Sequence, residues 1–336
     1  MKSPYTGKDM LIHKERRAMS FRKEEFAIVF HAYRCEDSGE LFEDDHFAKL
    51  NYNQLVNQYR ESHSIPFPEQ IIAIREKYSV SAAKMSEILG FGINGYRNYE
   101  NGEVPSISNA RLIQSVEDSE EFKKMVILSG AVEPAARKKL LAHLDKLIAE
   151  RQQNWFVRNL ECYYLGDNKA TSLTGFKCPD MEKFGQMVVF FSEKLKPFKT
   201  KLNKLLFYAD FMMFSKTGYS ISGAQYIAIN MGPVPDNFNG LYEYFCKNSL
   251  VDIQYITFRE GAVGEKFLPN PDKAFGRSIF SDSEMDVLEK IAKRFETTST
   301  NDIINLSHLE MGWIENEKEK RVIDYRYGFD LRGFDV

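Results

Sequence analysis

The sequence predicts a mainly α fold with small β elements, that is, an α+β protein. Apolar residues recur at helical spacing through most of the chain, whereas strand-like stretches are short and few. Hydrophobic residues make up 43% of the chain and charged residues 28%, the balance of an ordinary globular protein. The 336 residues predict about two domains with well-formed cores.

Composition excludes several classes of protein. Lys and Arg number 45 and Asp and Glu 48, so any contact with nucleic acid needs a local basic patch rather than a basic chain. The apolar runs are far shorter than the roughly 20 residues of a membrane helix, and the first residues lack the apolar region of a secretory leader. The four cysteines form no CxxC pair. We therefore expect a reduced, cytoplasmic protein without membrane contact or cofactor.

The first half of the chain divides into two predicted domains. Within residues 1–64 we expect a strand at 27–33, a turn at 37–40 and a helix at 50–60. Residues 65–133 read as five short helices. Pro68 begins the first, Ser81 caps the second, and Gly90 ends the second.

The second half begins with a connection at residues 134–177, made of a charged amphipathic helix at 134–155 and a linker at 166–175. Residues 178–336 then form the larger domain. Two long helices come first, with apolar positions at 184–195 and 202–213. We expect a rigid turn at 232–235, a strand or helix end at 226–229, and a β-hairpin made by 252–258 and 263–268. A capping box at Ser281 and Glu284 opens a further helix.

Residues 81–102 are a capped helix, a glycine turn and a second short helix. Phe91, Tyr96 and Tyr99 are expected to pack inward, which leaves Asn94, Arg97 and Asn98 outward. Short polar side chains and arginine at the start of such a helix reach base edges in the major groove.

This stretch resembles the Xre/Cro-type helix-turn-helix in its MqsA-type antitoxin version, through Leu-Gly at 89–90, Tyr-Glu-Asn-Gly at 99–102 and Pro105. The resemblance implies DNA contacts from Asn94, Arg97 and Asn98, although position 98 is often Arg in that family. The positive and negative charges of this helix-turn-helix balance, so one copy is expected to bind DNA phosphates weakly. We therefore expect a homodimer to bind the operator. The alternative is a helix pair kept only for packing or dimerisation.

Two knuckle-like segments, at 3–7 and 35–39, have the spacing of a CxxCG pair. Ser3, Thr6 and Ser38 stand where three thiolates would be, leaving Cys35 alone. The arrangement resembles a degenerate zinc ribbon, the N-terminal domain of MqsA-type antitoxins with its metal lost, a domain that can face the toxin in that family. We expect no metal here. A small β-domain with turn hydroxyls is the alternative.

The larger domain carries a distinctive set of residues: Lys-Leu-Asn-Lys-Leu-Leu-Phe-Tyr-Ala-Asp at 201–210, Gly-Pro-Val-Pro at 232–235, Ser-His at 307–308, and Trp313. Over roughly residues 180–320 it resembles the Panacea, or SocA-like, antitoxin domain, which GepA-like proteins share. The resemblance implies neutralisation of a toxin by protein–protein contact, with some members instead presenting the toxin to a protease.

Helical spacing puts Lys201, Lys204 and Tyr208 on one side of their helix. We expect an interaction face around Lys204, Tyr208 and the 232–235 turn. Its candidate toxin-binding residues are Lys201, Lys204, Tyr208, Asp210, Pro233 and Val234. Each also has a purely structural reading, as a solvated lysine, a local cap, a core aromatic or a rigid turn.

The chain contains no GxSxG, HExxH, P-loop or GxGxxG motif in a suitable setting, so we expect no enzyme. The preferred hypothesis is an antitoxin of a type II system that neutralises a cognate toxin through residues 178–336 and represses its own operon through the helix-turn-helix. The alternative is a ligand-responsive transcriptional regulator without a toxin partner.

Overall fold

The computed structural model describes residues 1–166, 169–259 and 261–334, with only the backbone given at 151–162. Its helices and short antiparallel sheets confirm the α+β prediction. The chain divides into two compact units, Met1–Asn159 and Leu160–Val336.

The first unit begins with a three-stranded sheet and continues with helices. Its elements are β1 (Leu11–Phe21), β2 (Glu24–Arg34), β3 (Leu41–Phe42), α1 (Asp45–His63), α2 (Pro68–Lys77), α3 (Ala82–Leu89), α4 (Gly95–Glu100), α5 (Ile107–Ser115), α6 (Ser119–Ser129) and α7 (Pro134–Leu165), which contains the boundary between the units. Helix α7 extends beyond the expected end at residue 155.

Strand β1 was not predicted, because charged residues dominate it. It pairs with β2 along its whole length, and Phe21 faces Glu24 across a two-residue turn. The turn residues Arg22 and Lys23 both have positive φ, at 48° and 72°. Tight hairpins need this conformation, which Asn-Gly adopts more readily than Arg-Lys.

Helix α1 covers the edge of β2 that faces away from β1. Gln54 accepts a hydrogen bond from the Val29 amide at 2.9 Å and donates one to the Val29 carbonyl at 2.8 Å. Asn51 makes the same pair of bonds with His31, both at 2.9 Å. These amide side chains take the place of a neighbouring strand, which protects the sheet edge.

Helices α2 to α6 and the first turns of α7 enclose a separate apolar core. Pro68 begins α2, the Ser81 hydroxyl caps α3, and Gly90 ends α3 with a φ of 73°, as the sequence predicted. The buried members of this core are Ile71, Ile74, Tyr78, Met85, Ile88, Leu89, Tyr96, Ile113, Val116, Phe122, Val126, Val132 and Leu144.

The predicted domain boundary at residue 64 is not a break in packing. Val56 and Tyr59, before it, share a buried cluster with Ile65, Val104 and Ala110, after it. The sheet and the five helices thus belong to one packed unit.

The second unit surrounds one buried helix. Its elements after α7 are α8 (Met181–Leu195), α9 (Lys199–Thr217), β4 (Tyr226–Ile229), β5 (Gly232–Pro235), α10 (Phe238–Lys247), β6 (Val251–Thr257), β7 (Val263–Pro269), α11 (Asp282–Arg294), α12 (Thr300–Ser307) and α13 (Met311–Ile314). Every residue of α9 from 201 to 214 is buried. Such a helix, enclosed on all sides, is the centre of the core.

Two short antiparallel hairpins complete this unit, β4–β5 and β6–β7. The second confirms the predicted hairpin, and the capping box at Ser281 and Glu284 is also present. The prediction of a rigid turn at 232–235 is wrong, since these residues form β5 and pair with 226–229, while Asn230 and Met231 make the turn. Among the described residues, no helix is both long and apolar enough to cross a membrane.

Candidate functional site

The two N-terminal segments, 3–7 and 35–39, are joined by a side-chain hydrogen bond. The Ser3 hydroxyl donates a hydrogen bond to the Cys35 sulfur at 3.1 Å, and Cys35 is buried. Hydrogen bonds from Ser3 and Ser38 lower the pKa of the Cys35 thiol to about 7. The hydroxyl oxygens of Thr6 and Ser38 also accept bonds from nearby backbone amides. Hydrogen bonds thus join the segments that resemble a zinc ribbon. The described part of the chain holds no group of three His, Cys, Asp or Glu suited to a metal.

Helix α4 and its N-cap residue Asn94 carry the predicted polar set. The side chains of Asn94, Arg97 and Asn98 are exposed, whereas Tyr96 is fully buried and donates to the Ile71 carbonyl at 2.7 Å. A Cβ atom on Gly95 would lie 2.8 Å from the Phe91 Cβ. Glycine is therefore needed where α4 begins, despite its cost to helix stability.

Two arginines fix the loop that follows α4. Arg22, from the β1–β2 turn, donates to the carbonyls of Val104 and Pro105. Arg60, from α1, donates to the Gly102 carbonyl at 2.7 Å. The carbonyls of this loop are therefore held by the sheet and by α1, which sets the orientation of α4 within the first unit.

In the second unit, Asp210 organises the segment after α9. Its carboxylate is fully buried and accepts hydrogen bonds from the amides of Ile221 and Ser222 at 2.8 and 2.9 Å. The hydroxyls of Ser222 and Tyr226 donate to it at 2.6 and 2.7 Å. Burial raises the pKa of Asp210, and these bonds oppose the rise. Asp210 therefore joins α9 to the loop before β4 and to β4 itself.

Lys204 joins α9 to the β4–β5 hairpin. Its ammonium group is buried and donates to the Pro233 carbonyl at 2.9 Å. Burial lowers the pKa of Lys204 to about 7. A Cβ atom on Gly232, whose φ is 93°, would lie 2.4 Å from the Ser307 hydroxyl and 2.7 Å from the Lys204 Cε. Only glycine fits between these two side chains.

Tyr208 and Lys201 connect α9 to three later segments of the chain, which contain Thr298, Glu310 and residues 332–333. The Tyr208 hydroxyl donates to Glu310 at 3.1 Å, and Glu310 also accepts from the amides of Arg332 and Gly333 at 2.9 and 2.8 Å. Burial raises the pKa of both Tyr208 and Glu310. Lys201 donates to the Thr298 carbonyl at 2.6 Å.

The expectation of an exposed face around these residues is wrong. All six candidate residues are buried: Lys201, Lys204, Tyr208, Asp210, Pro233 and Val234. Helical spacing correctly put the lysines on one side of α9, but that side faces backbone carbonyls and not water. In this structure the six side chains pack within the fold and offer little surface to a partner.

Aromatic and apolar side chains lie in the segments that adjoin this buried network. His308 stacks on Trp313, with ring centroids 4.0 Å apart, and the Trp313 indole donates to the Ile229 carbonyl at 2.8 Å. Leu309 and Ile314, which adjoin His308 and Trp313 in sequence, are 52% and 46% exposed, and Met231, in the β4–β5 turn, is 50% exposed. We name these five residues the Trp313 patch. The three exposed residues were missed, since single apolar residues in loops carry no periodic signal.

The family comparison covers the same elements. Residues 202–314 match the family model described as antitoxin SocA-like, Panacea domain. Within the second unit, residues 202–314 are therefore similar to a Panacea domain. The matched span contains the buried network of Lys204, Tyr208 and Asp210, together with all of the Trp313 patch, while Lys201 precedes it. Neither the curated proteins nor the solved structures gave a match to the chain.

Proposed function

We propose that the protein is the antitoxin of a type II toxin–antitoxin system and that its Panacea domain binds the toxin through the Trp313 patch. The single observation that carries the proposal is the match of residues 202–314 to an antitoxin family. The location of the interface rests on the structure, in which the six candidate residues are buried, whereas Met231, Leu309 and Ile314 in adjoining segments are exposed.

The chemistry of the patch suits a protein partner. Exposed apolar side chains that lie together mark interaction sites more often than scattered ones do. Binding energy at protein interfaces concentrates in a few aromatic and long side chains, which the Trp313–His308 stack and Met231 provide. Lys204, Gly232 and Ser307 keep the β4–β5 turn against α12, so they support the patch from below.

We further propose that the domain acts by stoichiometric binding and not by turnover. Asp210, Lys204, Tyr208 and Glu310 are buried polar groups of the second unit, and each has a hydrogen-bonding partner within the fold. Groups committed in this way stabilise structure, whereas a catalytic group must be able to reach a substrate.

The test is growth of cells that express the gene adjacent to this one. We expect that gene alone to arrest growth and the full-length protein to restore it. Leu309→Asp and Met231→Asp should abolish rescue, because a carboxylate in the interface loses water without gaining a partner. Leu128→Asp is the matched control, since Leu128 is 79% exposed and belongs to the first unit.

Circular dichroism must show that the patch variants are folded, and toxin abundance must be followed by immunoblot. A complex with constant toxin abundance indicates direct inhibition, and a falling abundance indicates delivery to a protease. Rescue by both patch variants would reject the patch. An adjacent gene that is harmless by itself would reject the antitoxin function.

We also propose that the first unit binds operator DNA as a homodimer through α4. The exposed side chains of Asn94, Arg97 and Asn98 support this, on a helix whose following loop is held by Arg22 and Arg60. Arg97→Ala should weaken binding to the promoter by about 1–3 kcal/mol if Arg97 reads a guanine. Lys146→Ala, on an exposed face of α7, is the control. If both variants bind the promoter with equal affinity at the same salt concentration, Arg97 does not contact DNA.

A further inference from the structure

Three of the four strand edges in the hairpins of the second unit are closed. The outer edge of β4 pairs with residues 321–323, through Ala228 to Arg321 and Ile323 to Tyr226. The outer edge of β7 is covered where the Phe267 amide donates to the Pro197 carbonyl at 2.8 Å. Strand β5 contains Pro233 and Pro235, which have no amide hydrogen to offer.

The fourth edge, that of β6, is open. Phe258 donates to the Ala262 carbonyl at the end of the hairpin, which fixes the alternation of the β6–β7 ladder. By that alternation, residues 252, 254 and 256 bond to β7, and the N–H and C=O groups of Ile253 and Tyr255 point away from it. No residue of the described chain pairs with these outward groups in a backbone hydrogen bond.

Natural proteins protect such edges with lysine, proline, bulges or a covering element. Strand β6, with the sequence Val-Asp-Ile-Gln-Tyr-Ile-Thr, has neither proline nor lysine. Tyr255 is 68% exposed, and Asp252 and Gln254 are also exposed. An exposed strand of this kind is a template for pairing with another strand.

We propose that two copies of the chain associate by antiparallel pairing of their β6 strands, which joins two hairpins into one four-stranded sheet. The outward groups of Ile253 would bond to those of Tyr255 in the second copy, and Tyr255 to Ile253. The two-fold axis then passes between the two Gln254 residues. This register uses the strand symmetrically, as a closed two-fold dimer requires.

The sequence of β6 is complementary to itself in this register. Asp252, the one charged residue in the strand, faces Ile256 of the second copy and not another carboxylate. Two cross-strand pairs of Tyr255 with Ile253 form on one face, and aromatic with β-branched residues are favourable neighbours in sheets. The two Gln254 amides can bond to each other. The proposal is independent of the antitoxin function, because it concerns assembly of this chain alone.

The decisive experiment is disulfide trapping with the full-length chain. In the proposed register the two Gln254 residues are a directly opposed pair that does not exchange backbone hydrogen bonds, with Cα atoms about 4.5 Å apart, which suits a disulfide. We expect Gln254→Cys to form a covalent dimer under mild oxidation, with a 254–254 linkage by mass spectrometry. Tyr255→Cys is the matched control, because it is more exposed but does not face itself across the axis.

The second measurement is sedimentation of Tyr255→Pro. Proline removes only an amide that points away from β7, so the hairpin should persist while the dimer dissociates to monomer. Equal trapping at 254 and 255, or a Tyr255→Pro protein that is still dimeric, would overturn the proposal. A monomeric wild-type chain whose Gln254→Cys variant crosslinks only to an added toxin would also overturn it, and would assign the edge to a strand of the toxin.

Discussion

Replacing Lys204 by methionine tests the claim that this lysine is buried and that burial lowers its pKa. Its ammonium group has one backbone acceptor, the Pro233 carbonyl, and no carboxylate partner among the hydrogen bonds and ion pairs of the described residues. Burial lowers the pKa of His308, and the nearby charge of Lys204 lowers it further. Methionine has a similar length and no charge, so it should fill the same space.

The pH dependence of unfolding follows from the pKa. The pKa of Lys204 is about 7 in the folded chain, against 10.5 for an unperturbed lysine. Between these values the unfolded chain binds more protons, so the free energy of unfolding rises with pH. From pH 7 to pH 9 the Lys204 contribution is a gain of about 2 kcal/mol. Below pH 7 both states are protonated and this slope disappears.

The assay is urea denaturation of wild type and Lys204→Met at pH 7 and pH 9, followed by a probe in the second unit such as Trp313 fluorescence. The comparison between the two proteins cancels the titrating groups whose pKa Lys204 does not affect, including Lys201. We expect the stability difference between methionine and lysine to shift by about 2 kcal/mol in favour of the wild type on going to pH 9. A difference that does not change with pH would show that Lys204 is not buried as a titrating group.

Three further outcomes follow from the polar contacts. Asp210→Ala leaves two amides and two hydroxyls without their acceptor and should destabilise the second unit by roughly 3 kcal/mol or more in urea denaturation; a loss below 1 kcal/mol would contradict the contacts of Asp210. Gln54→Leu should speed hydrogen exchange of the Val29 amide about 10-fold, and unchanged exchange would mean that another group covers the β2 edge. Ser3→Ala should raise the pKa of Cys35 from about 7, as seen by thiolate absorbance, and an unchanged titration would exclude the Ser3–Cys35 bond as its cause.

Local signals in the sequence predicted the helices well. Pro68, Ser81, Gly90 and the Ser281–Glu284 box each act within one turn of the chain, so their effect does not depend on distant contacts. Strand β1 escaped detection because its charged side chains hide the alternation that its partner β2 shows. Residues 232–235 were predicted as a turn because two prolines disfavour strands. They form β5 instead, and the Pro233 carbonyl accepts a hydrogen bond from Lys204.

At the candidate site, the sequence predicted which side chains share a face of the helix but not whether that face is exposed. Periodicity correctly placed Lys201, Lys204 and Tyr208 on one side of α9. The charges of the two lysines, however, suggested that this side is exposed to solvent. Tertiary contacts decide otherwise, since carbonyls of Thr298 and Pro233 from distant segments receive both ammonium groups. In the first unit, inward packing of Tyr96 and exposure of Arg97 follow from local spacing and could be predicted. Whether Arg97 contacts DNA stays a prediction.

The most direct test of the antitoxin function is calorimetric titration of the purified full-length protein with the product of the adjacent gene. The account predicts a saturable complex of fixed stoichiometry and an affinity at least 10-fold weaker for Leu309→Asp, since central interface residues contribute about 2 kcal/mol or more. Leu128→Asp should bind like the wild type. The absence of any complex between two folded proteins would contradict the account.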